Sequence, residues 1–222
     1  MTVVCAVDEK YLSKFLRHFS ALKNMRGLSK SQFVIFCLGV PPTNEIFRPL
    51  WDLENLDLIG WMPPRPKLPP MNNREFAFST FVFGVAQHIK TPYWMKLDGD
   101  ARPVAPKLIW PDYTGHTITG DAWWYTKVKG DDTKVHWLNT LDDWWKEKTG
   151  QPPLFQKIDG RYYKHNRLRS YCWIEKLEFT KKLAELCGHR LPIPSHDTTA
   201  WYVATRLGEP MQAYPFRKYI IA

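Results

Sequence analysis

Short apolar runs alternate with an amphipathic segment in the N-terminal half of the chain, and this alternation constrains the fold more than any other feature. The apolar runs cover residues 2–7, 32–38, 56–59 and 93–97. Behind Asp8, which can cap a helix, apolar residues recur at intervals of three and four: Leu12, Phe15, Leu16, Phe19 and Leu22. Continuous apolar strands that alternate with helices are typical of a mostly parallel sheet covered on both faces. The pattern therefore predicts an α/β fold.

The remaining segments predict further helices and one more strand, with no Gly/Ser-rich linker between them. We expect a helix from Asn72 or Asn73 to residue 88, a strand over 117–127, and helices over 138–148, 174–187 and 196–207, the last capped by Ser195. Proline-rich residues 61–72 are predicted to form a surface loop. The basic segment 157–169 is predicted to be a second loop, which either holds an anionic ligand or is simply solvated. We therefore expect one domain over residues 1–222.

Composition excludes several classes of protein. With 44% apolar and 24% charged residues the chain is not disordered, and no apolar run reaches the roughly 18 residues of a membrane span. The first residues do not resemble a signal peptide, and four cysteines without a CxxC pair favour a reducing, cytoplasmic location without zinc. The formal net charge of +9 favours an anionic partner, whether a nucleotide, a nucleic acid or a membrane surface contacted peripherally.

The sequence Asp98-Gly99-Asp100 follows directly on the apolar run at residues 93–97. Two carboxylates at positions i and i+2 beyond the end of a strand can hold one divalent ion, which in turn binds phosphate oxygens. The carboxyl edge of the strands is also where ligands of open α/β sheets bind. Asp-Gly is a common turn pair as well, but the strand before it and the Ala-Arg-Pro after it favour a site for Mn²⁺ or Mg²⁺ with a diphosphate.

Three segments of the chain resemble nucleotide-sugar-dependent glycosyltransferases with the GT-A fold. They are VVCAVDEKYLSKFL near the start, NREFAFSTFVFGVAQHIKTPYWMKLDGDARP in the middle and PSHDTTAWYVATRLG near the end. The resemblance implies a Rossmann-like sheet flanked by helices, with a nucleotide-sugar-binding half at residues 1–104 and an acceptor-binding half at residues 105–222. It also implies that Asp98 and Asp100, with Gly99 between them, bind the metal ion of a nucleoside diphosphate sugar, for which UDP-hexose is the commonest donor.

The same resemblance implies donor contacts at the end of the first strand, where Ala6, Val7 and Asp8 are followed by Tyr11. Asp8 can accept hydrogen bonds from a base or a ribose, and Tyr11 can stack on the base. Asp8 can also be a helix cap, and the two roles are compatible. Arg74 stands at the start of the helix before the metal strand, where a guanidinium can bind a phosphate; an exposed arginine without a function is the alternative.

A His196-Asp197 pair opens the last predicted helix. Inverting members of the family commonly carry an acid or an acidic pair there as general base, which implies that role for Asp197. His196 is then a candidate partner of this base or a candidate third metal ligand. Histidine at the first position departs from the acidic pair, so retention of configuration at the anomeric carbon stays open. A purely helix-capping role for this segment also stays open. Asp121 is the alternative base. Three other acids are predicted at exposed helix positions: Glu175, Glu178 and Glu185.

Aromatic residues make up 15% of the chain, including 11 tryptophans. Flat aromatic rings stack well on the faces of sugars. The resemblance places the acceptor side near Trp123, Trp124 and Trp173, and core packing is the alternative for any one of them.

These features together predict a metal-dependent hexosyltransferase that moves a sugar from a nucleoside diphosphate sugar to a hydroxyl of a saccharide or other acceptor, with inversion. A retaining transferase of the same fold and a sugar nucleotidyltransferase are the enzyme alternatives, although residues 8–11 replace the Gly-rich loop of the latter. A basic nucleic-acid-binding module and a non-catalytic sugar-binding domain are the non-enzyme alternatives. No nucleic-acid motif is present in the sequence, and a non-catalytic relic would be expected to lose the metal carboxylates.

Overall fold

A computed structural model describes residues 1–61, 73–124, 133–154 and 166–221 of the chain. Its strands are β1 (Thr2–Asp8), β2 (Gln32–Leu38), β3 (Leu56–Trp61), β4 (Tyr93–Leu97), β5 (Arg102–Pro103), β6 (Ile118–Trp124), β7 (Asn166–Lys176), β8 (Met211–Ala213) and β9 (Ile220–Ile221). Its helices are α1 (Glu9–Asn24), α2 (Asn73–Ser79), α3 (Val85–His88), α4 (Thr133–Thr149), α5 (Leu177–Cys187) and α6 (His196–Leu207). A π-helical turn (Thr80–Gly84) joins α2 to α3.

Seven strands form one sheet in the order β3-β2-β1-β4-β7-β6-β8, and β5 pairs with β9 in a separate ribbon. The first four strands of this order run parallel, β7 is antiparallel to both of its neighbours, and β8 is parallel to β6. β7 is therefore the one reversed strand among those described. The predicted α/β fold with a mostly parallel central sheet is confirmed.

The two faces of the sheet carry separate apolar cores, as the alternation of side chains along a strand requires. On β1, Val3, Cys5 and Val7 point into the core beneath α1 and the C-terminal segment around Phe216. Val4 points into the opposite core, which contains apolar residues of the π-helical turn, α3, α4, α5 and α6. Helix α1 buries four of the five residues that its periodicity predicted, namely Leu12, Phe15, Phe19 and Leu22. Both faces of the central strands are thus shielded from water.

The prediction fails at β7. Residues 174–176 were expected to begin a helix and residues 166–169 to belong to a loop, but all lie in an eleven-residue strand between β4 and β6. Helix α5 begins only at Leu177. Charged and polar residues in this segment hide the strand from a local pattern, because its hydrogen bonds come from partners distant in sequence. Residues 62–72 of the proline-rich segment and 157–165 of the basic segment lie outside the described residues.

The four cysteines are free and buried. No helix within the described ranges has the length and apolar character to cross a bilayer.

Candidate functional site

A cleft of about 550 Å³ lies at the carboxyl edge of the parallel strands. The ends of β1, β2 and β4 meet here because parallel strands direct their C-terminal ends to the same edge, which is where open α/β sheets bind ligands. The first turn of α1 and the α2 region close its sides. The cleft is lined by Ala6, Asp8, Lys10, Tyr11, Leu38, Ala77, Phe78, Phe81, Asp98, Gly99 and Asp100. Six of these residues were predicted from the sequence, namely Ala6, Asp8, Tyr11, Asp98, Gly99 and Asp100, so the structure brings the two predicted donor segments together.

A second hollow of about 460 Å³ adjoins the first and shares Asp8, Lys10 and Leu38 with it. Glu9, Gly39, Val40 and Phe76 complete the lining of this hollow. The two spaces together form one elongated site, which runs from Asp98 and Asp100 past Asp8 and Lys10 to the end of β2. Both parts mix charged and apolar side chains, which suits a ligand with an anionic centre and a flat apolar group.

Gly99 allows the loop after β4 to lie against the end of β1. A Cβ atom at this position would stand 3.2 Å from the carbonyl oxygen of Ala6 and 3.7 Å from the Val7 side chain. The backbone of β1 pairs with β2 at Ala6 and with β4 up to Cys5, so it has little room to yield. Glycine therefore permits the close approach that places both aspartates over the strand ends.

Asp98 is held by Lys96, two residues earlier on β4. The Lys96 ammonium lies 2.7 Å from Oδ1 of Asp98, and the lysine side chain is fully buried while the Asp98 side chain is 30% exposed. Burial raises the pKa of Asp98, the ion pair with Lys96 lowers it, and the negative charges of Asp197 and Asp100 raise it further. The net effect is a raised pKa of Asp98, in surroundings that contain the positive charge of Lys96 and the negative charges of Asp100 and Asp197.

The carboxylate oxygens of Asp98 and Asp100 provide some of the ligands that a hard divalent ion requires. Lys96 contacts Oδ1 of Asp98, so Oδ2 and the Asp100 carboxylate are the oxygens that can face a cation. Among the described residues, no group of three or more His, Cys, Asp or Glu side chains forms a complete metal site. Mg²⁺ and Mn²⁺ commonly take one or two carboxylates and complete their shell with phosphate oxygens and water. Asp98 and Asp100 therefore suit an ion that shares its ligands with a bound phosphate.

Asp8 caps α1, since its Oδ1 accepts a hydrogen bond from the backbone N–H of Tyr11 at 2.9 Å. It also lines both parts of the cleft, so the two roles predicted for it are compatible in this geometry. The Tyr11 ring is 38% exposed, and the ammonium groups of Lys10 and Lys14 each lie 5.6 Å from its centroid. This end of the cleft thus offers an exposed aromatic face with cations beside it, which suits a base next to phosphates.

Arg74 belongs to the first turn of α2. Its side chain lies outside what the structure describes, so its predicted phosphate contact stays a prediction. Its neighbour Glu75 accepts a hydrogen bond from Arg190 at 2.9 Å, which ties the start of α2 to the segment before α6.

Asp197 lies in the first turn of α6 and is 2% exposed. The Ser195 hydroxyl donates to its Oδ1 at 2.5 Å, and Ser195 caps the helix by accepting from the N–H of Thr198, as predicted. The Asp197 charge acts on Asp98 strongly enough to raise the pKa of that residue. The fold therefore brings the start of α6 into the electrostatic surroundings of Asp98, although Asp197 does not line the cleft.

His196 does not reach the cleft. It is fully buried, its Nε2 lies 3.1 Å from Oε2 of Glu175, and its ring packs against Phe81, Trp94 and Trp173. In this geometry it belongs to the core, which does not favour the third-ligand role predicted for it. Glu175 was placed on an exposed helix position, and this is wrong: it is fully buried on β7.

The predicted acceptor residues are divided by the structure. Trp173 is fully buried on β7 and cannot present its face to a sugar, so it is a core residue in this structure. Trp123 and Trp124 end β6, and only their main chain is described. Asp121, the alternative base, is 3% exposed, and its Oδ2 accepts from the backbone N–H of Arg217 at 3.0 Å.

Four residues at the cleft were not predicted from the sequence: Lys10, Lys96, Phe78 and Phe81. Lys96 carried a detectable signal, because a lysine inside a continuous apolar strand and two residues before an aspartate has its side chain on the same face as that aspartate. Phe78 and Phe81 carried none, since their apolar character equally predicts a core position.

No protein-family model matches the chain, and no curated protein sequence matches it significantly. Solved glycosyltransferase structures do match. The galactosyltransferase LgtC, solved with donor and acceptor sugar analogues, matches 98% of this chain over 74% of its own length, with a TM-score of 0.54 and 13% identity. The glycosyltransferase GlyE of Streptococcus pneumoniae TIGR4 matches 98% of this chain over 45% of its own length, with a TM-score of 0.52 and 11% identity.

A third structure, the bifunctional glycosyltransferase WbbM in its apo form, matches 97% of this chain over 39% of its own length, with a TM-score of 0.53 and 8% identity. The match spans less than half of GlyE and of WbbM. Identities this low show a common fold alone, and the predicted GT-A-type fold is thereby confirmed.

Proposed function

We propose that this protein is a metal-dependent glycosyltransferase that transfers a hexose from a nucleoside diphosphate sugar, UDP-hexose in the first instance, to a hydroxyl acceptor. The observation that carries the proposal is the pair Asp98 and Asp100 at the carboxyl edge of a GT-A-type sheet, in a cleft that also holds Lys10 and the exposed Tyr11 ring. The matching structures support it, since each is a glycosyltransferase and one was solved with donor and acceptor sugar analogues.

The donor would lie along the elongated cleft. We place the diphosphate between the two aspartates and Lys10, and the base towards Tyr11 and the second hollow at the end of β2. A divalent ion held by Asp98 and Asp100 would supply charge neutralisation for the leaving diphosphate. Lys10 would add positive charge from the protein, and Asp8 would accept hydrogen bonds from the nucleoside while it caps α1.

Asp197 is our candidate for the general base, and inversion is the stereochemical outcome that we propose with it. The general base must lie near the donor's anomeric carbon. The Asp197 charge acts on Asp98 at the edge of the cleft, which supports a position near the donor. The hydrogen bond from the Ser195 hydroxyl to Oδ1 orients the Asp197 carboxylate, and a carboxylate held in this way can accept the proton of an acceptor hydroxyl. Asp121 is bound to the backbone of Arg217, which makes it the less suitable of the two.

For the acceptor side we keep Trp123 and Trp124 as stacking candidates, because β6 ends there. For the compartment we propose the cytoplasm, which agrees with four buried and unpaired thiols.

A donor panel tests the proposal. UDP- and GDP-linked hexoses are incubated with the protein and Mn²⁺ or Mg²⁺, with and without saccharide acceptors, and release of the nucleoside diphosphate is followed together with product formation by mass spectrometry. We expect one donor to be consumed, faster with an acceptor, and only while the divalent ion is present. The matched control is Asp100→Asn. If no nucleotide sugar binds or turns over in any combination, the proposed function is wrong.

A further inference from the structure

Lys96 is the one described lysine whose side chain is fully buried, and it lies directly under the proposed donor site. Its ammonium lies 2.7 Å from Oδ1 of Asp98, 5.0 Å from the ring centroid of Phe81 and 5.3 Å from that of Phe78. Both phenylalanine rings also line the cleft. Removing an ammonium from water costs several kcal/mol, so such a group is retained in a core where it has a charge to neutralise.

The charge that Lys96 meets is that of a carboxylate cluster. The negative charges of Asp100 and Asp197 both act on Asp98, and Asp98 and Asp100 line the cleft. Lys96 extends from strand β4, its ammonium contacts Asp98, and aromatic rings lie close to it. A free divalent cation that approaches Asp98 and Asp100 is therefore repelled by this ammonium, and the repulsion is little screened because Lys96 is buried.

We propose that Lys96 weakens the binding of a free divalent ion, so that the ion enters the site together with the diphosphate of the donor. The inference rests on the proposed function, in which Asp98 and Asp100 hold such an ion. The diphosphate oxygens would supply ligands to the ion in addition to the two carboxylates. Lys96 is thus a tuning residue, which contacts neither the sugar nor the reacting atoms.

A purely structural role for Lys96 makes a different prediction. If the ion pair only stabilises the end of β4, removal of the ammonium lowers the melting temperature and leaves the intrinsic affinity for Mn²⁺ unchanged. If Lys96 tunes the site, removal of its charge tightens the binding of Mn²⁺ in the absence of any nucleotide. The readout is therefore an equilibrium constant for the metal alone, not turnover.

The experiment compares four proteins by electron paramagnetic resonance titration with Mn²⁺ alone at constant ionic strength. They are the unmodified chain, Lys96→Met, Lys96→Gln, and the exposed control Lys90→Met, which changes the net charge equally at a distance from the cleft. Gln keeps a donor for Asp98 without the charge, so it separates charge from orientation. We expect both Lys96 variants to bind Mn²⁺ on the order of tenfold more tightly than the unmodified chain, and Lys90→Met to match the unmodified chain. Equal affinities in all four proteins would overturn the inference.

A second measurement needs only the unmodified protein, so it can test whether the ion binds together with the nucleotide even if the variants do not fold. Mn²⁺ binding is titrated with and without saturating UDP or GDP, and we expect the nucleotide to tighten Mn²⁺ binding at least about tenfold. Mn²⁺ that binds equally tightly in both conditions, while the nucleotide is bound, would overturn the inference. If neither nucleotide binds, the proposed function fails, and the comparison of Mn²⁺ alone among the Lys96 variants still tests the role of Lys96.

Discussion

Glu175 and His196 form a fully buried pair that joins β7 to the start of α6, with 3.1 Å between Oε2 of the glutamate and Nε2 of the histidine. The other glutamate oxygen accepts from the Thr180 hydroxyl, and that hydroxyl accepts from Nε1 of Trp94 on β4. The chain of polar contacts thus runs from β4 through α5 and β7 to the residue before Asp197. It fixes the first turn of α6 relative to the strand that carries Asp98 and Asp100.

Replacement of Glu175 with Gln should destabilise the protein. The amide has the shape of the carboxylate but cannot accept from both Thr180 and His196 in the same way, and an unsatisfied buried polar group costs about 1–3 kcal/mol. For a chain of this size, each kcal/mol lowers the melting temperature by about 2–4 °C. Differential scanning calorimetry measures the change. The control is Glu178→Gln, whose side chain is 81% exposed in its ion pair with Lys176, and equal melting temperatures for the two variants would contradict the prediction.

Asp100→Asn should weaken the metal-dependent binding of UDP or GDP by more than about tenfold, because it removes a negative charge from a hard-cation site. Isothermal titration with and without Mn²⁺ measures this. Asp98→Asn should act similarly, but it also removes the carboxylate that Lys96 contacts, so Asp100 gives the cleaner result. Exposed Asp52→Asn is the control. Unchanged nucleotide affinity in both site variants would rule out the assignment of these carboxylates.

Gly99→Ala should lower both stability and nucleotide affinity. The added methyl group would meet the Ala6 carbonyl at 3.2 Å, and forcing extra volume against a fixed backbone costs about 1–3 kcal/mol. Chemical denaturation measures the stability, and fluorescence titration with a nucleotide measures the affinity. Gly115 offers a matched control, since a Cβ there meets nothing within 4 Å. If Gly99→Ala and Gly115→Ala behave alike, the close approach of the two loops is not a constraint.

Asp197→Asn should lower kcat by about 10²–10⁴-fold while the affinity for the donor stays nearly constant, because loss of a general base acts mainly in the transition state. Asn keeps an oxygen that can accept from Ser195, so the helix cap is preserved. Steady-state kinetics and the anomeric configuration of the product by NMR check the two halves of the assignment. A near-normal kcat, or retention at the anomeric carbon, would move attention to Asp121→Asn.

The four cysteines should be inert in the native protein at about pH 8, because the thiolate is the reactive form. Burial raises the pKa of Cys5, Cys37 and Cys187 to about 12, and that of Cys172 also lies well above its ordinary value. A thiol reagent such as DTNB should react fully only after denaturation.

The same pKa shifts predict how stability depends on pH. The unfolded thiols ionise near their ordinary pKa of 9.0 while the native thiols stay protonated. The free energy of unfolding should therefore fall as the pH rises above about 9 and continue to fall towards about 12. Chemical denaturation at a series of pH values measures this dependence, and a free energy of unfolding that does not fall above about pH 9 would contradict it. Stoichiometric labelling of the native protein with a thiol reagent at about pH 8 would contradict the separate prediction that all four thiols are shielded.

The sequence by itself determined the elements whose residues are close together along the chain. Strand β4 occupies the predicted residues, and Asp98 and Asp100 follow it at the edge of the sheet. Helices α1 and α6 begin after their predicted caps, Asp8 and Ser195. These features depend on hydrogen bonds and apolar spacing within a few residues, which the sequence displays directly.

The tertiary structure alone decided which polar residues are buried and what they contact. Strand β7 exists because β4 and β6 supply its hydrogen bonds from segments distant in sequence. This pairing buries Glu175, which was predicted at an exposed helix position, and Trp173, which was predicted to contact the acceptor. The burial of Lys96 next to Asp98 likewise depends on aromatic rings from the α2 region that pack over it. A charge is stable in a protein interior only where a partner compensates its lost hydration, and these partners come together only when the sheet and its helices have assembled.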